Sequence, residues 1–144
     1  MERFTDGNEG SEPRIIRMKR GILGFERLTQ FVFQPQEETA PFRQMRAIED
    51  GTTFVVIDPF IVKPDYQPVI PDKDVRLLEI EDASDVIVMN IVTIHRIPLG
   101  ATINLRAPLI VNTKSGLAVQ VVLEDDTYPL RFPLGKKNQT TIEP

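Results

Sequence analysis

Residues Ile91 to Leu134 read IVTIHRIPLGATINLRAPLIVNTKSGLAVQVVLEDDTYPLRFPL, and this stretch decides the fold. Ala101, Ile103 and Leu105 fall on one face of a pleated segment, with Thr102 and Asn104 on the other. Leu117, Val119, Val121 and Leu123 repeat the pattern. A period of two is the signature of a strand with one face buried. Turn residues separate the segments at Pro98-Leu-Gly100, Asn112 to Gly116 and Glu124 to Thr127, so the spacing predicts strands at 101–105, 108–112, 117–123 and 128–134. Just upstream, Val86 to Ile94 is apolar on both faces, as a central strand would be.

The same reading extends towards the N-terminus. Strands are expected at 15–19, 28–33, 43–48 and 53–57, the last two joined by the hairpin signal Glu49-Asp-Gly-Thr52. Gly21-Ile-Leu-Gly-Phe-Glu26 is expected to be a turn whose glycines take positive φ and tuck Ile22, Leu23 and Phe25 inward. Pro71 to Glu79 carries the one clear helix signal, with Asp72 placed to cap it and Asp74 at the positive end of its dipole. The fold class expected is mainly β, an antiparallel barrel-like or sandwich fold of short strands with one short helix near 72–79. A disordered leader is expected at 1–13, a single β domain at 14–134 and a flexible tail at 135–144.

Composition bounds the function. The 144 residues carry 12 prolines, no cysteine and one histidine. Proline at that density disfavours long helices, and the lack of cysteine removes disulfides, thiolate metal sites and thiol nucleophiles. The net charge of −4 disfavours direct nucleic-acid binding, which needs a basic stripe to neutralise phosphates. No secretory signal or apolar run of membrane-spanning length is present, so a cytoplasmic location without membrane attachment is expected.

Catalytic chemistry finds little purchase. His95 is the single imidazole, and one histidine supplies neither a nucleophile–base pair nor a metal set. A small carboxylate-dependent enzyme stays open as an alternative, because Asp and Glu are plentiful. So does a generic acidic protein-binding module. Two segments stand out as interaction surfaces. Asp58 to Pro68 is a proline-punctuated loop offering Asp58, Phe60, Asp65 and Tyr66. Asp72 to Asp85 holds six carboxylates against two cations, among them Asp72, Asp74, Asp82 and Asp85.

Several stretches together resemble the FliW family of bacterial flagellar assembly factors: Gly21-Ile-Leu-Gly-Phe-Glu26, Phe54-Val-Val-Ile-Asp-Pro59, Pro64-Asp-Tyr66, Ala101-Thr-Ile-Asn-Leu-Arg-Ala-Pro108, Ile110-Val-Asn112 and Tyr128-Pro-Leu-Arg-Phe-Pro-Leu134. Phe132 stands where the family pattern suggests histidine, a departure read as structural. The resemblance implies a non-enzymatic protein with no cofactor. It also implies two partners: the translational repressor CsrA, whose grip on flagellin mRNA it would relieve allosterically, and flagellin itself as a feedback partner. CsrA is a small basic dimer, so the eight residues just named are the expected contacts. The chain alone is expected to be monomeric.

Overall fold

The computed structural model describes residues 15–34, 40–96 and 99–134. The expected leader at 1–13, Arg14 and the expected tail at 135–144 lie outside them. Among the described residues nine strands run in chain order: β1 (Ile15–Arg20), β2 (Gln30–Gln34), β3 (Arg43–Ala47), β4 (Thr53–Ile57), β5 (Val86–Arg96), β6 (Leu99–Ile103), β7 (Leu109–Asn112), β8 (Leu117–Gln120) and β9 (Phe132–Leu134). The helical pieces are short: α1 (Pro59–Val62), α2 (Asp72–Leu77) and one 3-10 turn at Ala83–Asp85.

The strands pair in the order β4-β3-β2-β1-β8-β7-β5, and β5 returns to β4, which closes a seven-stranded barrel. β6 and β9 extend from β5 outside the ring. All but one of the pairings are antiparallel, and β1 meets β8 in parallel. The expected mainly β, barrel-like fold is the one observed, and the reason for its one parallel seam is topological. Strand direction cannot alternate all the way round a ring of odd number, so one seam must be parallel.

Side-chain alternation divides the core in two. Ile16, Phe31, Met45, Val56, Met89, Leu109 and Ala118, one from each strand of the ring, belong to the cluster that fills the barrel. Ile57, Leu78, Val92, Ile110, Leu117 and Val119 form a second cluster on the outer face, with Tyr66 among them. β7 and β8 are consequently buried at every position, including polar Gln120. Alternation alone predicts a solvated face there. The segment between β4 and β5 covers it instead. Burial of each large apolar side chain contributes about 1.5–3 kcal/mol.

Polar side chains fix the irregular junctions. Between Ile91 and Met89, β5 has the single residue Asn90, whereas the opposing chain between β6 and β7 inserts Leu105 to Pro108. Asn104 Oδ1 accepts from the N–H groups of Arg106 and Ala107, both at 3.0 Å, and so shapes the insertion. Asn112 accepts from Lys114 N–H at 2.9 Å in the β7–β8 hairpin, and its Nδ2 donates to Leu78 O at 2.8 Å beyond the end of α2. The Glu49–Thr52 hairpin forms where the sequence places it, with Gly51 at φ 82°.

In the 21–26 turn, Gly24 alone takes positive φ, at 88°. Ile22 is buried, but Leu23 and Phe25 stay exposed, which corrects the expectation that all three point inward. Gly21 is needed for room rather than for φ. A Cβ there would sit 2.7 Å from the backbone Cα of Glu26. Gly21→Ala is therefore expected to cost about 1–3 kcal/mol in urea unfolding, since backbone cannot swing aside as a side chain can.

Candidate partner-binding surface

The 58–70 segment is anchored rather than extended. Asp58 caps α1 by accepting from Phe60 N–H at 2.8 Å, with Pro59 at the first helical position, where no donor is lost. Phe60 is partly exposed at 41%. Asp65 is exposed and takes an ion pair from Lys63 at 3.0 Å, which holds its carboxyl below the usual range.

Tyr66 is only 2% exposed, which corrects the expectation that it faces a partner. Its hydroxyl donates to Leu105 O at 2.6 Å and accepts from Asn90 Nδ2 at 3.2 Å, pinning the loop to the break between β6 and β7. The ring packs edge-on against Tyr128, with centroids 4.8 Å apart. Loss of solvent pushes its pKa up to about 12, against the opposing pull of the Asn90 amide. A raised folded-state pKa favours the protonated fold. The stability it confers is whole below the unfolded value near pH 10 and is lost as pH rises towards 12. Unfolding free energy is therefore expected to fall more steeply over that window in the natural protein than in Tyr66→Phe, by about 2–3 kcal/mol in all.

The acidic segment splits into two kinds of residue. Asp72 and Asp82 are exposed. Asp82 caps the 3-10 turn by accepting from Ser84 N–H at 3.0 Å, whereas Asp72 follows the N-cap Pro71 and caps nothing. Asp74 and Asp85 are 1% and 7% exposed, which corrects the expectation of a wholly solvated acidic face. Asp74 is held by Arg20 Nη2 at 2.9 Å, and that ion pair ties α2 to the end of β1. The Asp85 carbonyl accepts from both N–H and Oγ1 of Thr113, each at 2.7 Å.

A groove of about 960 Å³ opens beside the Arg20–Asp74 pair. It runs between the 20–26 turn, the 67–74 segment and residues 120–128. Glu26, Asp74, Glu124 and Asp125 set four carboxylates around it against Arg20 and Lys73, and Val69 and Tyr128 supply apolar surface. Thr127 donates through both its N–H and its hydroxyl to Asp125, which lowers that carboxyl's pKa and keeps it ionised. Sequence reading overlooked Glu124 and Asp125 as surface elements, taking them only as turn residues. A run of adjacent acids between β8 and β9 was the signal available. Nothing in the sequence marks Arg20 as the partner of Asp74, 54 positions away.

His95 meets Thr102 Oγ1 at 3.1 Å across β5 and β6. Among the described residues no three His, Cys, Asp or Glu side chains gather as a metal-ligand set, and no helix is long and apolar enough to cross a membrane. Phe132, at the departure from the expected pattern, packs into the outer cluster opposite Ile103.

Comparison with known proteins matches this architecture to one family. The model of the FliW protein family matches residues 2–134. The flagellar assembly factor FliW of Syntrophus aciditrophicus is 44% identical over 132 residues, covering 91% of this chain and 84% of that protein. That of Caldicellulosiruptor saccharolyticus is 39% identical over 136 residues, covering 94% and 89%. A crystal structure of the flagellar assembly factor FliW superposes with a TM-score of 0.74 at 32% identity, covering 83% of this chain and 84% of the other. With the family model spanning nearly all of the closed barrel and its covering segment, the chain belongs to the FliW family of flagellar assembly factors.

Proposed function

We propose that this protein acts in the cytoplasm, without catalysis, as a flagellar assembly factor that binds the basic translational repressor CsrA and thereby frees flagellin mRNA. Flagellin would bind as a second, feedback partner. The observation that carries the reading is the carboxylate-lined groove, together with the exposed acids Asp72, Glu79, Glu81 and Asp82 on the segment between β4 and β5. Such a surface accelerates encounter with a cationic protein and orients it, and it repels RNA phosphates. Relief of repression would then be allosteric: the acidic face engages CsrA away from its RNA-contacting surface and lowers its RNA affinity. Asp58, Phe60, Asp65, Asp72 and Asp82 stay as proposed contacts. Tyr66, Asp74 and Asp85 would act by shaping the surface from beneath.

A gel-shift experiment with flagellin leader RNA tests the proposal. The protein alone should leave the RNA unretarded, and added to a CsrA–RNA complex it should release free RNA. Retardation by the protein itself, or a complex that persists at saturating protein, would refute the reading.

A further inference from the structure

The mouth of the barrel where β4 and β5 part carries features that the CsrA reading does not use. At Val92, β5 pairs with both Val55 and Ile103, so β4 and β6 lie on its opposite edges. On the β6 edge, pairing continues to Arg96. On the β4 edge it ends at Val92. The Ile91 carbonyl accepts from Asn104 N–H at 3.0 Å on the β6 side. By the alternation of an antiparallel strand, the N–H and C=O of Ile94 and Arg96 point to the other edge. Among the described residues no strand meets them there.

That open edge borders a groove of about 600 Å³. Five of the eleven large apolar side chains left exposed among the described residues line it: Leu23, Phe25, Ile94, Val122 and Leu130. Leu23 and Ile94 are each 61% exposed, and Phe25 stands edge-on to Phe54 with centroids 5.1 Å apart. Clustering of that kind marks a surface kept apolar for a partner. Among the described residues the charged members of the lining are Arg106 and Arg131, with no carboxylate, in a chain whose net charge is −4. Arg106 is steadied by Tyr128 O at 2.6 Å, and Arg131 is exposed.

We propose that this groove receives an extended segment of a partner protein in which apolar residues alternate with carboxylates, added as a strand to the open edge of β5. Main-chain hydrogen bonds to Ile94 and Arg96 would hold it, one set of side chains would enter the apolar groove, and the carboxylates would meet Arg106 and Arg131. A second copy of this chain fits poorly, because symmetric pairing brings the same arginines together. A basic partner is repelled by them. The site abuts the acidic groove, with Leu23, Gln120 and Val122 lining both, but its charge is opposite, and the proposal does not depend on CsrA binding.

Two short capped peptides test it, one alternating leucine with glutamate and the other leucine with lysine, each titrated into the 15N-labelled full chain. The glutamate peptide should shift the amides of Leu23, Ile94 and Leu130 and slow hydrogen exchange at Ile94 and Arg96. The lysine peptide should bind about tenfold more weakly or worse, and Arg131→Glu should reverse the preference. Leu130→Asp, at an exposed position, should weaken the glutamate peptide while leaving the unfolding midpoint in place. Equal affinity for both peptides, shifts confined to other surfaces, or no binding would overturn the proposal. So would sedimentation as a dimer that Ile94→Lys dissolves, which would give the edge to a second copy. None of these outcomes bears on the release of RNA from CsrA.

Discussion

Tyr66→Ala is expected to lower the unfolding free energy by about 3–5 kcal/mol, the range for removing a buried aromatic side chain. The ring lies between Phe60 and Tyr128, at centroid distances of 5.9 and 4.8 Å, and belongs to the outer core cluster. Its loss leaves a cavity beneath the covering segment and frees the Leu105 carbonyl and the Asn90 amide that the hydroxyl had joined. Tyr66→Phe separates the two contributions. It keeps the ring and removes only the hydroxyl, at an expected cost of about 1–3 kcal/mol for a buried acceptor left unpaired. Urea denaturation of the two variants measures both. If the alanine variant were no less stable than the phenylalanine variant, the loop would not be held by this ring. Amide exchange across residues 59–70 should also rise in the alanine variant well before global unfolding, since the segment opens locally once its anchor is gone.

The second large effect concerns the acidic face. Asp72→Lys combined with Glu124→Lys should weaken CsrA binding at least about tenfold at low salt, with most of the loss in the association rate. Both side chains are exposed and neither caps a helix, so the double variant should lose no more than about 1 kcal/mol of stability, the size of the dipole term at the start of α2. Raising the salt from 50 mM towards 500 mM (about 14 to 4 Å of screening length) should shrink the difference between variant and natural protein. Association and dissociation rates at several ionic strengths supply the measurement. Equal affinity at all of them would remove this face from the interface. Asp85 is a poor choice for the same experiment. Buried at 7% exposure, a lysine there would disturb the fold and mimic a loss of contact.

The sequence carried the strands well because their pattern is local. Two-residue alternation and the Asp50-Gly51 and Asn112–Gly116 turns are short-range signals, and the strands they predict lie within a few residues of the observed ones. What escaped depends on contacts between distant segments. Tyr66 looked like an exposed binding residue because its neighbours are prolines and charges. Only the pairing of its hydroxyl with Leu105, 39 residues on, shows it to be an anchor. Asp74 sits on a predicted helix beside Asp72 and Lys73, and composition cannot tell that it turns inward to Arg20. The exposed groove residues were missed for the opposite reason. Alternation does place Val122 opposite the buried set, but Leu130 reads as an ordinary strand-forming apolar residue, and nothing local says that the two come together on one uncovered surface.

The parallel seam between β1 and β8 has a consequence for synthesis. Arg17 pairs with Leu117 and Met18 with Ala118, so the barrel cannot shut until nearly the whole described chain has been made. β2, β3 and β4 are joined by short connections and can pair as they leave the ribosome, but β1 keeps an exposed edge until β8 emerges. At a few to twenty residues per second, that wait lasts about 5–20 s. For those seconds the nascent protein is an open, partly apolar sheet on the ribosome, and its final closure is set by the pace of translation.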